Sequence, residues 1–150
     1  MNPNSDEENF LHYKKNINKK GIKKADIKDI FKLGYCYEFG KGTQQDIIKA
    51  FYYYNLSANR NHSKSQKNLG YCYEFGRGTE INLEEAFKWY KKSAESECNI
   101  AQNNLGKCYE LGKGTEINLE EAFKWYEMAE QNGYMVSKDK LDKLKNKIQN

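Results

Sequence analysis

The sequence predicts an all-α fold, a right-handed superhelix of stacked helix pairs that forms one solenoid domain. Three observations predict it. The block Leu69–Tyr90 (LGYCYEFGRGTEINLEEAFKWY) recurs at Leu105–Tyr126 (LGKCYELGKGTEINLEEAFKWY), identical at 19 of 22 positions with an offset of 36. A third copy, LGYCYEFGKGTQQDIIKAFYYY, lies 36 residues earlier at Leu33–Tyr54. Within each copy the apolar residues follow a helical period, and glycine marks the breaks. The only proline, Pro3, precedes every helical pattern. Exact self-similarity at a period of 20–50 residues is the signature of stacked repeats, each too small to bury its own apolar face.

Each copy reads as two helices. Helix A is seen in residues 63–75, with Ser63 as N-cap and Gln66 completing a capping box; Asn99 and Gln102 repeat the pattern. Leu69, Cys72 and Tyr73 supply its apolar stripe. Gly76, like Gly40 and Gly112, ends the helix by taking positive φ. A Gly-x-Gly-Thr connector follows. Helix B is capped by Asp46, Asn82 or Asn118, with Glu85 and Glu121 at the third helical position. It buries Ala86, Phe87, Trp89 or Tyr90, and Ala94. Its outer face pairs Glu84 with Lys88 and Lys91 with Glu95, each worth a few tenths of a kcal/mol.

Gly34, Gly70 and Gly106 sit inside helix A, where glycine costs ~1 kcal/mol against alanine. The expected compensation is close approach of helix B at its small residues Ala50, Ala86 and Ala122.

The ends carry degenerate pieces. Residues 10–15, FLHYKK, resemble residues 87–92, FKWYKK, so residues 6–20 read as a worn helix B. Leu141 lies 36 after Leu105, so residues 136–149 read as a last helix A. Val136, Leu141, Leu144 and Ile148 lie on one side of it and Lys140, Lys143 and Lys147 elsewhere, which suits the polar cap a solenoid needs. The expected division is a cap at 1–24, repeats at 25–60, 61–96 and 97–132, and a capping helix at 133–150.

The repeat resembles the Sel1-like repeats, relatives of tetratricopeptide repeats. Gln66, Leu69-Gly70, Tyr73, Gly76, Gly78, Ala86, Trp89-Tyr90 and Ala94 match the family pattern in one copy. Ala101-Gln102, Leu105-Gly106, Tyr109, Gly112, Gly114, Asn118, Ala122 and Trp125-Tyr126 match it in the next. The match runs from residue 25 to about 141. Threonine (Thr43, Thr79, Thr115) stands where the family has valine, and asparagine replaces the usual aspartate cap twice. The resemblance implies an adaptor that holds a protein partner. Some secreted members carry a cysteine pair in each repeat and are linked to β-lactam chemistry; this sequence has no second cysteine per repeat.

The residues themselves give little support to catalysis. Cys36, Cys72 and Cys108 share one repeat position. Neighbouring helices pack ~8–10 Å apart, and a disulfide needs Cα atoms within ~7 Å, so these three read as small core residues. Cys98 stands apart, ten residues before Cys108. No CxxC or CxH spacing suggests zinc. His12 and His62 have no recurring acid or nucleophile. Glu84-Glu85 and Glu120-Glu121 suit a helix start, where the dipole favours acids. The turn Gly40-Lys41-Gly42-Thr43 lacks the Gly-x4-Gly-Lys-Ser/Thr order and the preceding strand of a phosphate loop. A non-enzyme without cofactor or metal is expected.

A partner would meet the stripe of helix A that points away from the core. Its positions are Lys64, Lys67, Tyr71 and Glu74, with equivalents Lys28, Phe31, Tyr35, Glu38 and Ile100, Asn103, Lys107, Glu110. In such solenoids helix A lines the concave side. Tyr35 and Tyr71 lie outside the family's core pattern, and exposed tyrosine offers large contact area at low entropy cost. The expected partner is a peptide or helix. The competing reading is that these tyrosines pack between neighbouring A helices.

Charge supports a second reading. The net charge of +4 is uneven. Residues 1–32 carry eight lysines against five acids, and residues 133–150 five against two. Residues 33–132 carry twelve basic residues against fourteen acidic ones. Basic ends suit nucleic acid or an anionic membrane surface, although lysines mixed with aspartates at helical spacing also describe a solvated face. No run approaches the ~18 apolar residues of a span. The polar, acidic start MNPNSDEENF lacks an apolar targeting core. A cytoplasmic protein with free cysteines is expected, and so few repeats are compatible with a homodimer stacked end to end.

Overall fold

The computed structural model describes the backbone of residues 3–148 and the side chains of residues 5–147. Eight α-helices occur among them, and no strand. They are α1 (Pro3–Lys20), α2 (Ile27–Phe39), α3 (Ile47–Ala58), α4 (Ser63–Phe75), α5 (Leu83–Glu95), α6 (Asn99–Leu111), α7 (Leu119–Gln131) and α8 (Val136–Ile148). The chain divides into two compact units, Met1–Ile81 and Asn82–Asn150. In the first, α1 packs on α2, α2 on α3 and α3 on α4; in the second, α5 packs on α6, α6 on α7 and α7 on α8. Helix A of the repeat corresponds to α2, α4 and α6, and helix B to α3, α5 and α7.

The helix stops follow the sequence. Gly40, Gly76 and Gly112 adopt φ of 66–68° and cap α2, α4 and α6, each donating its N–H to the cysteine carbonyl of its own helix. The second glycine of each connector has a different duty. A Cβ on Gly42 would lie 2.3 Å from the Asp6 carbonyl oxygen, on Gly78 2.5 Å from that of Ile47, and on Gly114 2.0 Å from that of Leu83. The connector therefore rests directly on the start of the preceding helix B, and no side chain fits between them. The same alignment that pairs Phe10 with Phe87 pairs Asp6 with Leu83, so α1 meets its connector as a helix B does.

Ring contacts repeat the register. Phe10 meets Tyr37 edge-on at 5.5 Å, Phe51 meets Tyr73 at 5.5 Å, and Phe87 meets Tyr109 at 5.3 Å, all within two degrees of perpendicular. Edge-to-face pairs of this kind add ~0.5–1.5 kcal/mol beyond their buried area.

The starts of helix B behave as expected. Asp46, Asn82 and Asn118 accept from the N3 amides of Lys49, Glu85 and Glu121 at 2.9–3.0 Å. Glu85 and Glu121 turn outward to Lys88 and Lys124 at 2.7 Å, three residues on. The expected Glu84–Lys88 pairing is thus replaced by an i, i+3 bond from the same lysine.

The starts of helix A differ from expectation. His62 and Cys98 occupy the N-cap positions, with Ser63 and Asn99 already helical, and neither cap residue gives a side-chain cap bond. Gln66 and Gln102 are buried and do not close a capping box. Their amides donate backwards, to the carbonyls of Ala58 (3.3 Å) and Ala94 (3.2 Å) at the end of the preceding helix B. Each carbonyl also accepts a backbone N–H, from Asn61 and Glu97 at 3.0 Å, so the glutamine gives it a second donor.

The mid-helix glycines also differ. At Gly34 and Gly106 it is a tyrosine ring of helix B, and not its alanine, that lies over the glycine. A Cβ on Gly34 would sit 3.0 Å from the Tyr54 ring and one on Gly106 2.8 Å from the Tyr126 ring. Ala50, Ala86 and Ala122 are themselves buried.

At the far end α8 buries Ser137, Leu141 and Leu144, while Val136 is exposed. The buried stripe therefore starts one residue later than expected, with serine in the valine's place. The side chain of Ile148 lies outside those described.

Candidate protein-interaction face

The outward stripe of helix A begins from how each residue leaves its helix. Tyr35 on α2 and Tyr71 on α4 are separated by one repeat and are 38% and 41% exposed. Neither ring is buried between A helices. Each instead leans on the phenylalanine one turn on in its own helix: Tyr35 on Phe39 at 4.6 Å and Tyr71 on Phe75 at 4.5 Å. Phe39 and Phe75 are themselves 54% and 49% exposed. A cation from the following connector covers each tyrosine, Lys41 at 5.2 Å and Arg77 at 5.8 Å. The first unit thus presents the same aromatic pair and cation twice.

Sequence reasoning overlooked Phe39 and Phe75. The signal was available: an aromatic four residues after Tyr35 and Tyr71, immediately before the helix-ending glycine, stacks on the same face.

The acidic members of the stripe have internal duties. Glu38 accepts from the Tyr54 hydroxyl at 2.5 Å and, more weakly, from Arg77 Nη2 at 3.5 Å. Glu110 accepts from the Tyr126 hydroxyl at 2.7 Å. Burial first, and then these bonds, push both tyrosine hydroxyls far above their ordinary range. The carboxylates therefore lock helix B against helix A; both are half-buried, and the Glu38 side chain is only 13% exposed. Phe31 is half-buried between the Tyr54 ring (5.8 Å) and the His62 ring (4.8 Å). Lys67 and Glu74 are half-buried.

In the second unit the stripe changes character. Asn103 is not open to a partner. It is 5% exposed, and its Oδ1 accepts from Ser137 and Lys140 of α8, both at 3.2 Å. The capping helix covers this position because its buried edge is polar there. Lys107 is half-buried, and Leu111 stands exposed where Phe39 and Phe75 stand in the first unit. Lys140 lies 4.9 Å over the Tyr126 ring. Its ammonium is held below the ordinary lysine range by burial and then by the Lys107 charge, with Glu110 opposing.

Nothing in the described residues gathers reactive groups. No cluster of three or more His, Cys, Asp or Glu could hold a metal among them. Cys36, Cys72 and Cys108 are buried free thiols and Cys98 is half-buried. Burial, with the Glu38 charge adding, pushes the Cys72 thiol up to about 12, which removes it as a nucleophile at neutral pH. No helix among the described residues is long and apolar enough to cross a membrane.

The Sel1 repeat profile matches residues 28–62, 63–98 and 99–134. The fold is similar to the crystal structure of a Sel1 repeat protein from Oxalobacter formigenes, with 33% identity and a TM-score of 0.75 over 77% of this chain and 48% of that one. It is also similar to a protective antigen of uropathogenic Escherichia coli that displays an SLR fold (30% identity, TM-score 0.73, 74% of this chain and 24% of that one). Cysteine rich protein B of Helicobacter pylori shares the fold at 24% identity, with a TM-score of 0.65 over 85% and 93% of the two chains. The chain spans about half the length of the first of these structures and about a quarter of the second. No curated protein matches it in sequence. The all-α repeat fold read from the sequence is the fold of these structures.

Proposed function

The chain belongs to the Sel1 repeat family, whose members are generally protein-interaction scaffolds, and on that premise we propose that it is a non-catalytic adaptor that binds a peptide or helix along the outward stripe of its A helices. The observation that carries this reading is the twice-repeated exposed pair, Tyr35 with Phe39 and Tyr71 with Phe75, each under a cation. Rigid aromatic area at low entropy cost is what an interaction hot spot needs.

The contact set proposed from the sequence narrows accordingly. Tyr35 and Tyr71 stay at its centre, Phe39 and Phe75 join them, and Phe31 and Lys67 stay with them in the first unit; Glu74 and Lys107 remain as the sequence proposed them. Glu38, Glu110 and Asn103 leave it, since the first two hold Tyr54 and Tyr126 and the third lies under α8. Three singly buried thiols per chain suit a reducing compartment, and we place the protein in the cytoplasm on that ground.

Cross-linking in the native host followed by mass spectrometry would identify the partner. Binding of that partner to wild type and to Tyr35→Ala/Tyr71→Ala would then be compared. A loss of ~2 kcal/mol or more, about 30-fold in Kd, is expected for a hot-spot pair. Equal affinity for the two proteins would sink the proposed face.

A further inference from the structure

A cleft of about 510 Å3 opens where the end of α1, the start of α2 and the corner between α3 and α4 meet. Lys20, Lys24, Lys28, Arg60 and His62 line it, and Asp26 is the one carboxylate among its lining residues. Asp26 Oδ1 accepts from the Lys28 amide at 2.8 Å as the N-cap of α2 and keeps its negative charge. Four cations thus line one cleft against a single carboxylate, an excess of positive charge that an anion would answer.

Arg60 supplies an independent sign. Its Nη1 is removed from solvent and has no hydrogen-bond partner. A buried donor on a charged group is among the groups least tolerated without an acceptor. The start of α2, a helix of 13 residues, adds its own partial positive charge to the same cleft. The field is felt at His62, whose ring packs on Phe31 and shares a 2.7 Å hydrogen bond with the Ser65 hydroxyl. Burial holds that imidazole below its ordinary value, and the Lys64 and Lys28 charges push it the same way, with Asp26 opposing.

We infer that this cleft is a binding site for a phosphate monoester dianion. The guanidinium fork and several lysine point charges match three acceptor oxygens carrying about two negative charges. A single carboxylate would leave most of the positive charge unanswered. A nucleic-acid backbone would call for cations strung along a face, whereas these gather around one open cleft. The dianion arrives on a phosphorylated protein segment or as a small free phosphate. The site is separate from the aromatic pairs of the proposed interaction face and stands or falls without them.

Amide chemical shifts of the isotope-labelled full chain would be followed during titration with inorganic phosphate, balanced with chloride at constant ionic strength. A phosphoserine peptide, its unphosphorylated form and a single-stranded RNA would be titrated in the same way. Phosphate and the phosphoserine peptide should move the amides of residues 25–28 and 60–62 saturably, and the unphosphorylated peptide should not. Arg60→Gln should weaken phosphate binding ~10-fold or more, as expected for loss of a charge-assisted bond. Lys49→Gln at the start of α3, the opposite end of that helix from Arg60, should leave it within ~2-fold, because screening removes distant surface charge. A phosphopeptide tighter than inorganic phosphate assigns the dianion to a modified protein; equal affinities assign it to free phosphate. Should Arg60→Gln lose its helical circular dichroism, Lys24→Gln/Lys28→Gln, both exposed, carries the same expected loss. The inference is overturned if neither phosphate nor phosphopeptide gives a saturable shift, if RNA alone binds, or if the cleft variants bind phosphate as tightly as wild type.

Discussion

Replacing Gly106 by alanine sets two opposed effects against each other in the contact between α6 and α7. Alanine favours a helix interior over glycine by ~1 kcal/mol. Yet the new Cβ would lie 2.8 Å from two carbons of the Tyr126 ring, where ordinary carbon contacts are ~3.5–4.0 Å. The ring must therefore retreat by roughly 1 Å. It has nowhere to go: it is fully buried, its hydroxyl is bonded to Glu110, and Lys140 lies over it. Overpacking of this kind costs ~1–3 kcal/mol, and a ring so held belongs near the upper end. The expected net result is a loss of ~1–2 kcal/mol. Urea denaturation should show it as a lower midpoint at unchanged slope. In a Tyr126→Ala background the clash is gone, and the same glycine-to-alanine change should stabilise by ~1 kcal/mol. The coupling between the two positions is then ~2–3 kcal/mol. A raised midpoint with Tyr126 intact, or equal effects in both backgrounds, would refute the reasoning. The same change at Gly34 should cost less, because the Tyr54 ring stands at 3.0 Å.

Two further outcomes follow from backbone and thiol chemistry. Asn61, Glu97 and Gly133 occupy one repeat position with φ of 62°, 60° and 88°; glutamate is the residue least suited to this left-handed conformation, so Glu97→Gly should raise stability by ~0.5–1 kcal/mol, and an unchanged or lower urea midpoint would contradict it. Under native conditions near neutral pH one thiol per chain, Cys98, should react quickly with a thiol reagent, while Cys36, Cys72 and Cys108 wait for denaturant; two or more fast thiols would show that the helix-A cysteines are less enclosed than their burial implies.

The fold was legible because the repeat writes it three times. Glycine at a helix end, asparagine or aspartate at a helix start and an apolar period are local rules, and each could be read without knowing what packs against what. The candidate site was legible in part. Tyr35 and Tyr71 stood out as large residues off the core stripe, and both are exposed. Glu38, Glu110 and Asn103 share that stripe, yet their partners lie 16 to 37 residues away, on Tyr54, Tyr126, Ser137 and Lys140. Periodicity reports which face of a helix a residue occupies, and says nothing of which distant hydroxyl will reach it. Arg60 was equally silent, since a lone arginine after a helix reads as solvent-facing until the cleft around it is seen.

Sequence alone determined the number of helix pairs, their period of 36 and the family they belong to. Those features rest on short-range chemistry: caps, turns and helical spacing act within a few residues of themselves. Tertiary structure decided what fills the tight contact over Gly34 and Gly106, which residue caps each helix A, and which stripe residues are spent inside the protein. In each case two groups far apart in the chain compete for one space or one hydrogen bond, and only their packing settles which prevails.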